Sequence, residues 1–363
     1  MNLQTEIVAD ILSRIPIKSI FHCKCVCKTW HDLLSEPYFV NLHLPRSPAG
    51  LIIHRSNYPQ ETDILKLVEL DGESDHHNIH HNPLTRFDLG LGFNYDALLL
   101  CETVNGLICL WNYYGVAGYI CNPITREYIL IPDQKYDSPY AIVTCGFGYV
   151  EASDEYKVVR LYMHMKTGKS ECKIYTLGTG VWRSLGHLPF PLISFQNGIY
   201  LNGNLHWLTT DPEGTPNEMV CTFDLEKELF LLTPAAPFVV GRDVKDRIRY
   251  LGTLGECLCI CDSTADFELS IWVMKDYEMK EMWSKEIVIR EPSLQYQNVR
   301  PLIFLESGCI LMVCLDRFLF TYCPEYGTVQ IIEDAPKKAF DARVYVPSFI
   351  RLGSFVLENV FVF

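Results

Sequence analysis

The sequence predicts a small all-α segment followed by a mainly all-β domain. Three observations carry this. Residues 1–43 place apolar side chains at helical spacing. After residue 50 the chain breaks into short apolar or alternating runs separated by glycine, proline, asparagine and aspartate. A unit of several such runs then recurs along the second part.

In "TEIVADILSRI", Thr5 is placed to cap a helix, Glu6 falls in its first turn, and Ile7, Ile11, Leu12 and Ile15 recur at helical spacing. Pro16 ends this helix, because a residue before proline is pushed out of the α region. Ser19 can cap a second amphipathic run from about Ile20 to Leu34. Its apolar stripe is Cys23, Val26, Cys27, Trp30, Leu33 and Leu34. "EPYF" ends that run at Pro37, and "LPRSPAG", residues 44–50, reads as a linker to a domain spanning 51–363.

Beyond the linker, strands are expected at "AGLIIHR", "ILKLVEL", "GLICLWN", "GYICNP", "EYILIP", "YKVVRLYMH", "CKIYTLG", "GIYLNGNLHWL", "MVCTFDL", "LGTLGECLCICD", "LSIWVMK", "KEIVI", "CILMVCL" and "FLFTYCP". "FVVGRDVKDRIRY" (238–250) is mixed. A glycine turn leading into an apolar strand recurs at "NGLICLW" (105–111), "NGNLHWL" (202–208), "LGECLCI" (254–260) and "ESGCILM" (306–312). Each is followed by a further strand and a polar turn: "NPITRE", "DLEKE", "KDYEMKE" and "PEYGT". A period of about 50 residues with several strands per unit is the kelch-like signature of a β-propeller. About six divergent blades follow, with a β-sandwich or other barrel as the competing all-β reading. "ARVYVPSFI" (342–350) is placed to close the ring against the first blade.

The 363 residues are 48% hydrophobic and 21% charged, with a formal net charge of −13. No basic patch or stripe of the kind that binds nucleic acid is visible. No window approaches 18 uncharged apolar residues, which argues against a membrane span. "MNLQTEIVAD" carries two acids and no basic lead into an apolar run, so no signal peptide is expected. Fifteen cysteines without a secretion signal fit reduced thiols in the cytoplasm or nucleus. Within residues 1–30, Arg14, Lys18, Lys24 and Lys28 outnumber Glu6 and Asp10, a local balance that suits an acidic partner.

Several constellations were weighed for chemistry. On a helix, Cys23 and Cys27 share a face while Cys25 points away, so three thiols cannot converge on a metal. Cys257, Cys259 and Cys261 share a strand face, but successive thiols lie about 6.6 Å apart. His76, His77, His80 and His81 sit in a polar loop. "GFG" (146–148) lacks a third glycine, and Gly-x-Ser-x-Gly does not occur. Asp224, Glu226 and Glu228 read as a solvated turn. No cofactor, metal or catalytic group is expected from this reading.

Residues 1–43 resemble an F-box of the plant type. In that family a leucine-proline pair opens the motif, met here by Leu3 and then Gln4, its one departure. The following element is matched by Asp10, Ile11, Leu12, Ser13, Arg14, Ile15, Pro16, Ile17, Lys18 and Ser19. Val26, Cys27, Lys28 and Trp30 match the next, and Pro37 with Phe39 the last. The remainder resembles the F-box-associated domain of plant receptors, including the S-locus F-box group. The matching stretches are "NGLICLWN" with "CNPITRE", "GFGYVEASDEYKVVRL", "IYTLGTGVWRSL", "YLNGNLHWL", "TFDLEKELF", "ELSIWVMKDY" and "YVPSF".

The resemblance implies a non-catalytic substrate receptor of an SCF-type ubiquitin ligase. Its F-box would dock on a Skp-type adaptor, and through it on a cullin–RING scaffold. The β domain would hold an unidentified target. Independently, a helical module of about 40 residues is too small to bury all its apolar side chains alone. Leu3, Ile7, Ile11, Leu12, Ile15, Pro16, Ile17, Ile20, Val26, Cys27 and Trp30 are the candidate adaptor-binding residues, with Trp30 as anchor. Packing of that face on the propeller is the competing reading. A free-standing propeller acting as scaffold or hydrolase is the alternative function.

Overall fold

The computed structural model describes residues 3–55, 64–70, 83–88, 98–112, 118–132, 140–164, 166–188, 190, 196–215, 217–238, 248–264, 268–275, 282–295, 297–315, 317–334 and 340–362. The histidine-rich loop and most of the mixed segment 238–250 lie outside these described residues. Helix α1 runs Leu3–Leu12. Beyond it, the Ser13 hydroxyl donates back to the carbonyl of Asp10 at 2.8 Å. Helix α2 covers Ile17–Lys24, α3 Lys28–Leu33 and α4 Pro37–His43, followed by a 3₁₀ turn over Leu44–Arg46.

The amphipathic run from Ile20 to Leu34 is therefore two helices and not one. Cys27 is extended (φ −159°, ψ 163°), and its carbonyl opens α3 by accepting from His31 N at 3.0 Å. Cysteine and β-branched valine are weak helix formers, so "CVC" is where the run breaks. Pro37 starts a helix as its first residue, the position where its missing N–H costs nothing. The expected linker opens with this 3₁₀ turn, and Gly50 already belongs to a strand.

Twenty-five strands, β1 to β25 along the chain, form six antiparallel sheets among the described residues. These are the six blades of a β-propeller. The chain divides into two units, residues 1–74, 79–131 and 342–363, and residues 75–78 with 132–341.

In the first unit, β1 (Gly50–Arg55), β2 (Ile64–Glu69) and β3 (Pro83–Asp88) take their remaining strand from the C-terminal part of the chain. That strand is β24, Phe340–Tyr345, which lies against β1. The pairing expected for 342–350 is thus made, up to Tyr345. The second blade is β4 (Leu98–Val104), β5 (Leu107–Asn112), β6 (Gly118–Asn122) and β7 (Glu127–Ile131), with β25 (Val360–Val362) as a fifth strand beside β7.

The second unit holds four blades. They are β8–β11 (Tyr140–Val150, Glu155–His164, Ser170–Thr176, Trp182–His187), β12–β15 (Ile199–Leu201, Asn204–Thr210, Glu218–Asp224, Leu229–Pro234), β16–β19 (Arg249–Leu254, Cys257–Asp262, Leu269–Met274, Trp283–Ile289) and β20–β23 (Val299–Phe304, Ile310–Cys314, Phe318–Cys323, Thr328–Asp334). The recurring glycine is the turn between a blade's first two strands. Asn105 and Gly106 (φ 52° and 80°) and Asn202 and Gly203 (49° and 75°) are both left-handed, the type I′ geometry that Asn-Gly favours in tight hairpins. Cys259 and Cys261 are buried in the core of their blade pair, so that triplet packs as apolar side chains. Cys309, just before β21, is paired as a disulfide with Cys323 at the end of β22.

After β24 the chain is stitched to the second blade. Tyr345 donates its hydroxyl to Gly106 O at 3.0 Å, and Ser348 donates to Asn105 O at 2.6 Å. Asn122 donates to the carbonyls of Ser348 (3.1 Å) and Ile350 (2.7 Å) while accepting from Ile124 N. A Cβ on Gly106 would meet Ser348 Oγ at 2.3 Å, so both its φ and this approach require glycine.

Candidate docking surface

The helical segment buries one set of its apolar residues and exposes another. Leu12, Ile17, Ile20, Leu33, Leu34, Phe39 and Val40 are buried in a core shared with Ile52, Leu65, Tyr345 and Phe349. Ile15, Cys23 and Trp30 are half-buried against it. On α1, Ile7 and Ile11 lie one turn apart on the outer face, 56% and 57% exposed. At the α2–α3 corner Val26 is 64% exposed, with Cys25 and Cys27 exposed on either side. Pro16 and Phe21 are exposed as well.

This division sorts the candidate residues. Ile7, Ile11, Pro16, Val26 and Cys27 are available to a partner. Leu12, Ile17 and Ile20 shape the surface from beneath, and Ile15 and Trp30 face mainly inward. Leu3 opens α1, and its side chain lies outside the described residues. Cys27 was expected in a buried stripe and is exposed instead, because the break at the corner swings Val26 and Cys27 away from the core. Trp30 owes its half-burial to the same break, since α3 starts only at Lys28.

The electrostatics also differ from a simple count. Arg14 is held by Asp10 through two bonds of 3.1 Å, and Arg46 reaches the same carboxylate at 2.7 Å. These guanidinium contacts pull the Asp10 carboxyl below its ordinary range. Lys24 lies 4.4 Å from the centre of the Phe349 ring, and burial lowers its pKa. Lys18 and Lys28 are the exposed cations of residues 1–30 that no such contact engages. Phe349 itself stands edge-on to Phe21 (5.9 Å) and His43 (5.3 Å) and tilted against Phe39 (6.1 Å). Burial takes the His43 imidazole down to about 4, so it is neutral at pH 7.

Comparison with known families decides the identity. Residues 71–314 match the F-box associated beta propeller domain, and residues 1–42 match the F-box domain. This chain belongs to the plant F-box proteins that carry an F-box-associated β-propeller. An F-box/kelch-repeat protein of Arabidopsis thaliana is 28% identical over 366 residues, covering 96% of this chain and 95% of its own length. The F-box protein CPR1 of the same plant is 25% identical over 390 residues, covering 98% and 90%. Among solved structures, the Dos1 propeller aligns over 80% of this chain and 69% of its own at 11% identity and a TM-score of 0.38.

Within the second unit of this F-box protein, the turn expected to be solvated is an ion-pair node. Asp224 caps the turn by accepting from the N–H groups of Glu226 (3.0 Å) and Lys227 (2.8 Å). Glu228, left-handed at φ 57°, receives the buried Lys157 ammonium at 3.0 Å and also pairs with Arg183. Burial works to raise the Glu228 pKa, but the two cations together hold it below its ordinary value. Sequence reasoning missed this node, because nothing local indicates that Lys157 lies 71 positions away on the neighbouring blade. Among the described residues no group of three His, Cys, Asp or Glu side chains is placed to hold a metal ion.

Proposed function

We propose that this chain is the substrate-recognition subunit of an SCF-type ubiquitin ligase, working in the cytoplasm, the nucleus or both. Its F-box docks on a Skp-type adaptor and so on a cullin–RING scaffold, and its propeller binds a target protein. One observation carries the reading. While Leu12, Ile17, Ile20, Leu33 and Leu34 of the helical module are buried, Ile7, Ile11 and Val26 stay more than half exposed, which is costly unless another chain covers them. Lys18 and Lys28 add exposed positive charge for an acidic adaptor. No chemistry is asked of this chain, because ubiquitin transfer takes place elsewhere in such a complex.

Co-purification of the full chain with a purified Skp-type adaptor tests the docking. Ile11→Glu and Val26→Glu should abolish the complex while leaving the chain folded. A folded wild-type chain that binds no adaptor would end the reading. A pull-down of target proteins with and without proteasome inhibition tests the second half, and target proteins recovered only under inhibition are the supporting result.

A further inference from the structure

The F-box helices do not complete their own core. Phe349, 1% exposed, lies more than 300 positions from the helices it packs on and touches three of their aromatic rings, those of Phe21, Phe39 and His43, with the Lys24 ammonium over its own ring. The segment bearing Phe349 is fixed at its other side to the second blade. Asn122 holds the carbonyls of Ser348 and Ile350, Ser348 holds Asn105, and Glu127 takes Arg351 and the N–H of Leu352. One short stretch is thus bonded to a blade through both backbone and side-chain groups, while its Phe349 ring meets the helices.

We propose that residues 345–352 are a positioning element of the docking module, with Phe349 setting α2 and α4 and the Asn122 and Glu127 bonds fixing the adaptor's orientation to the second blade. This rests on the docking reading above and extends it. Phe21 makes the link concrete, being 37% exposed while its ring also meets Phe349. Whatever displaces Phe349 moves the end of α2 and hence the corner that carries Val26. Whatever frees the segment from Asn122 and Glu127 leaves that corner intact but lets the helices swing.

The two roles separate by experiment on the full chain. Phe349→Ala should weaken adaptor binding at least tenfold and speed amide exchange in α2 and α4, with β5 and β6 unchanged. Phe349→Met, which keeps apolar volume, should restore binding to within threefold. Asn122→Ala combined with Glu127→Gln should keep the affinity. It should broaden the distance distribution between a label on the bound adaptor and one at Leu130, a readout that mere destabilisation of the fold does not produce. The inference is overturned if Phe349→Ala binds like wild type, if its faster exchange spreads equally into β5 and β6, or if the distance distribution stays narrow. Failure of wild type itself to bind adaptor defeats the docking reading instead, and the exchange pattern then still decides whether Phe349 holds α2 and α4.

Discussion

Glu127 holds Arg351 with one carboxylate oxygen, receiving Nε at 3.0 Å and Nη2 at 2.9 Å, and its other oxygen takes the N–H of Leu352 at 2.6 Å. Glu127 is 4% exposed, so these donors, with the Thr125 hydroxyl at 3.3 Å, share a buried acceptor. Glu127→Ala leaves the Leu352 N–H buried and unpaired and removes the guanidinium's partner. The expected loss is about 2–4 kcal/mol in urea unfolding at pH 7, with Glu127→Gln losing about half. A loss below about 0.5 kcal/mol for the alanine variant would show the contact to be incidental.

Surface and core substitutions in the helices should part company. Ile7→Ala and Ile11→Ala should change stability by less than about 0.5 kcal/mol, because both side chains are exposed, yet weaken adaptor binding. Leu12→Ala, in the core, should cost about 2–4 kcal/mol. Equal stability losses for the two classes would contradict the division of the apolar residues.

The thiols should react in two classes. Of the cysteines outside the Cys309–Cys323 pair, only Cys25 and Cys27 are exposed. Burial pushes the Cys172 thiol up to about 12, and moves Cys121 and Cys221 in the same direction, so these stay protonated and unreactive. Mass-mapped alkylation of the native chain should label Cys25 and Cys27 first, and the buried sites only on unfolding. Early labelling at Cys121 or Cys172 would count against this packing.

Acid should weaken the fold in a definite window. Burial holds His43 and His206 neutral with values near 4, against an ordinary 6.5. The unfolded chain then binds more protons than the folded one between those values. Their stabilisation is full above about pH 6.5 and is lost progressively as the pH falls towards 4. Asp10, Asp224 and Glu228 are shifted below their ordinary carboxylate values, so their contribution fails at lower pH still. His43→Gln should flatten part of the decline in urea midpoint between pH 6.5 and 4, and an unchanged slope would rule His43 out as a contributor.

Removing half of the Lys157 node should cost more than replacing the buried lysine. Glu228→Gln leaves Lys157, 7% exposed at its side chain, with the Leu225 carbonyl and a weakened partner, at about 2–3 kcal/mol by thermal or urea unfolding. Lys157→Met exchanges the charge for apolar packing and should cost about 1 kcal/mol or less. The reverse order would mean that the ion pair outweighs its desolvation.

What the sequence made legible follows from how each element is satisfied. The second and third strands of most blades are buried on both faces and read as plain apolar runs, and Asn-Gly named the hairpins that precede them. The outer strands β11 and β23 were missed because "WRSLGH" and "TVQIIED" carry polar residues at most positions, as edge strands facing water do. Inner strands β8 and β20 were missed because they contain Gly146, Gly148 and Pro301, which weaken a strand reading. Gly146 is there for close packing, since a Cβ would lie 2.8 Å from Leu205. At the docking surface the helical wheel puts Val26 and Cys27 on the buried face, because it assumes an unbroken helix through "CVC". Phe349 ends the "YVPSF" stretch, but nothing local indicates that it packs on the helices. Its partners are more than 300 positions distant, and only the completed fold brings them together.

That separation has a consequence for the chain during its synthesis. The F-box helices leave the ribosome first, while Phe349 is made about 300 residues later, which is about 15–60 s at ordinary translation rates of about 5–20 residues per second. Through that interval Phe21, Phe39 and His43 lack the Phe349 ring that all three pack against. A message cut short just before the codon for Phe349 would yield a protein with its whole F-box sequence and strands β1 to β24 in hand, lacking only β25, yet without the residue that finishes the helices' core.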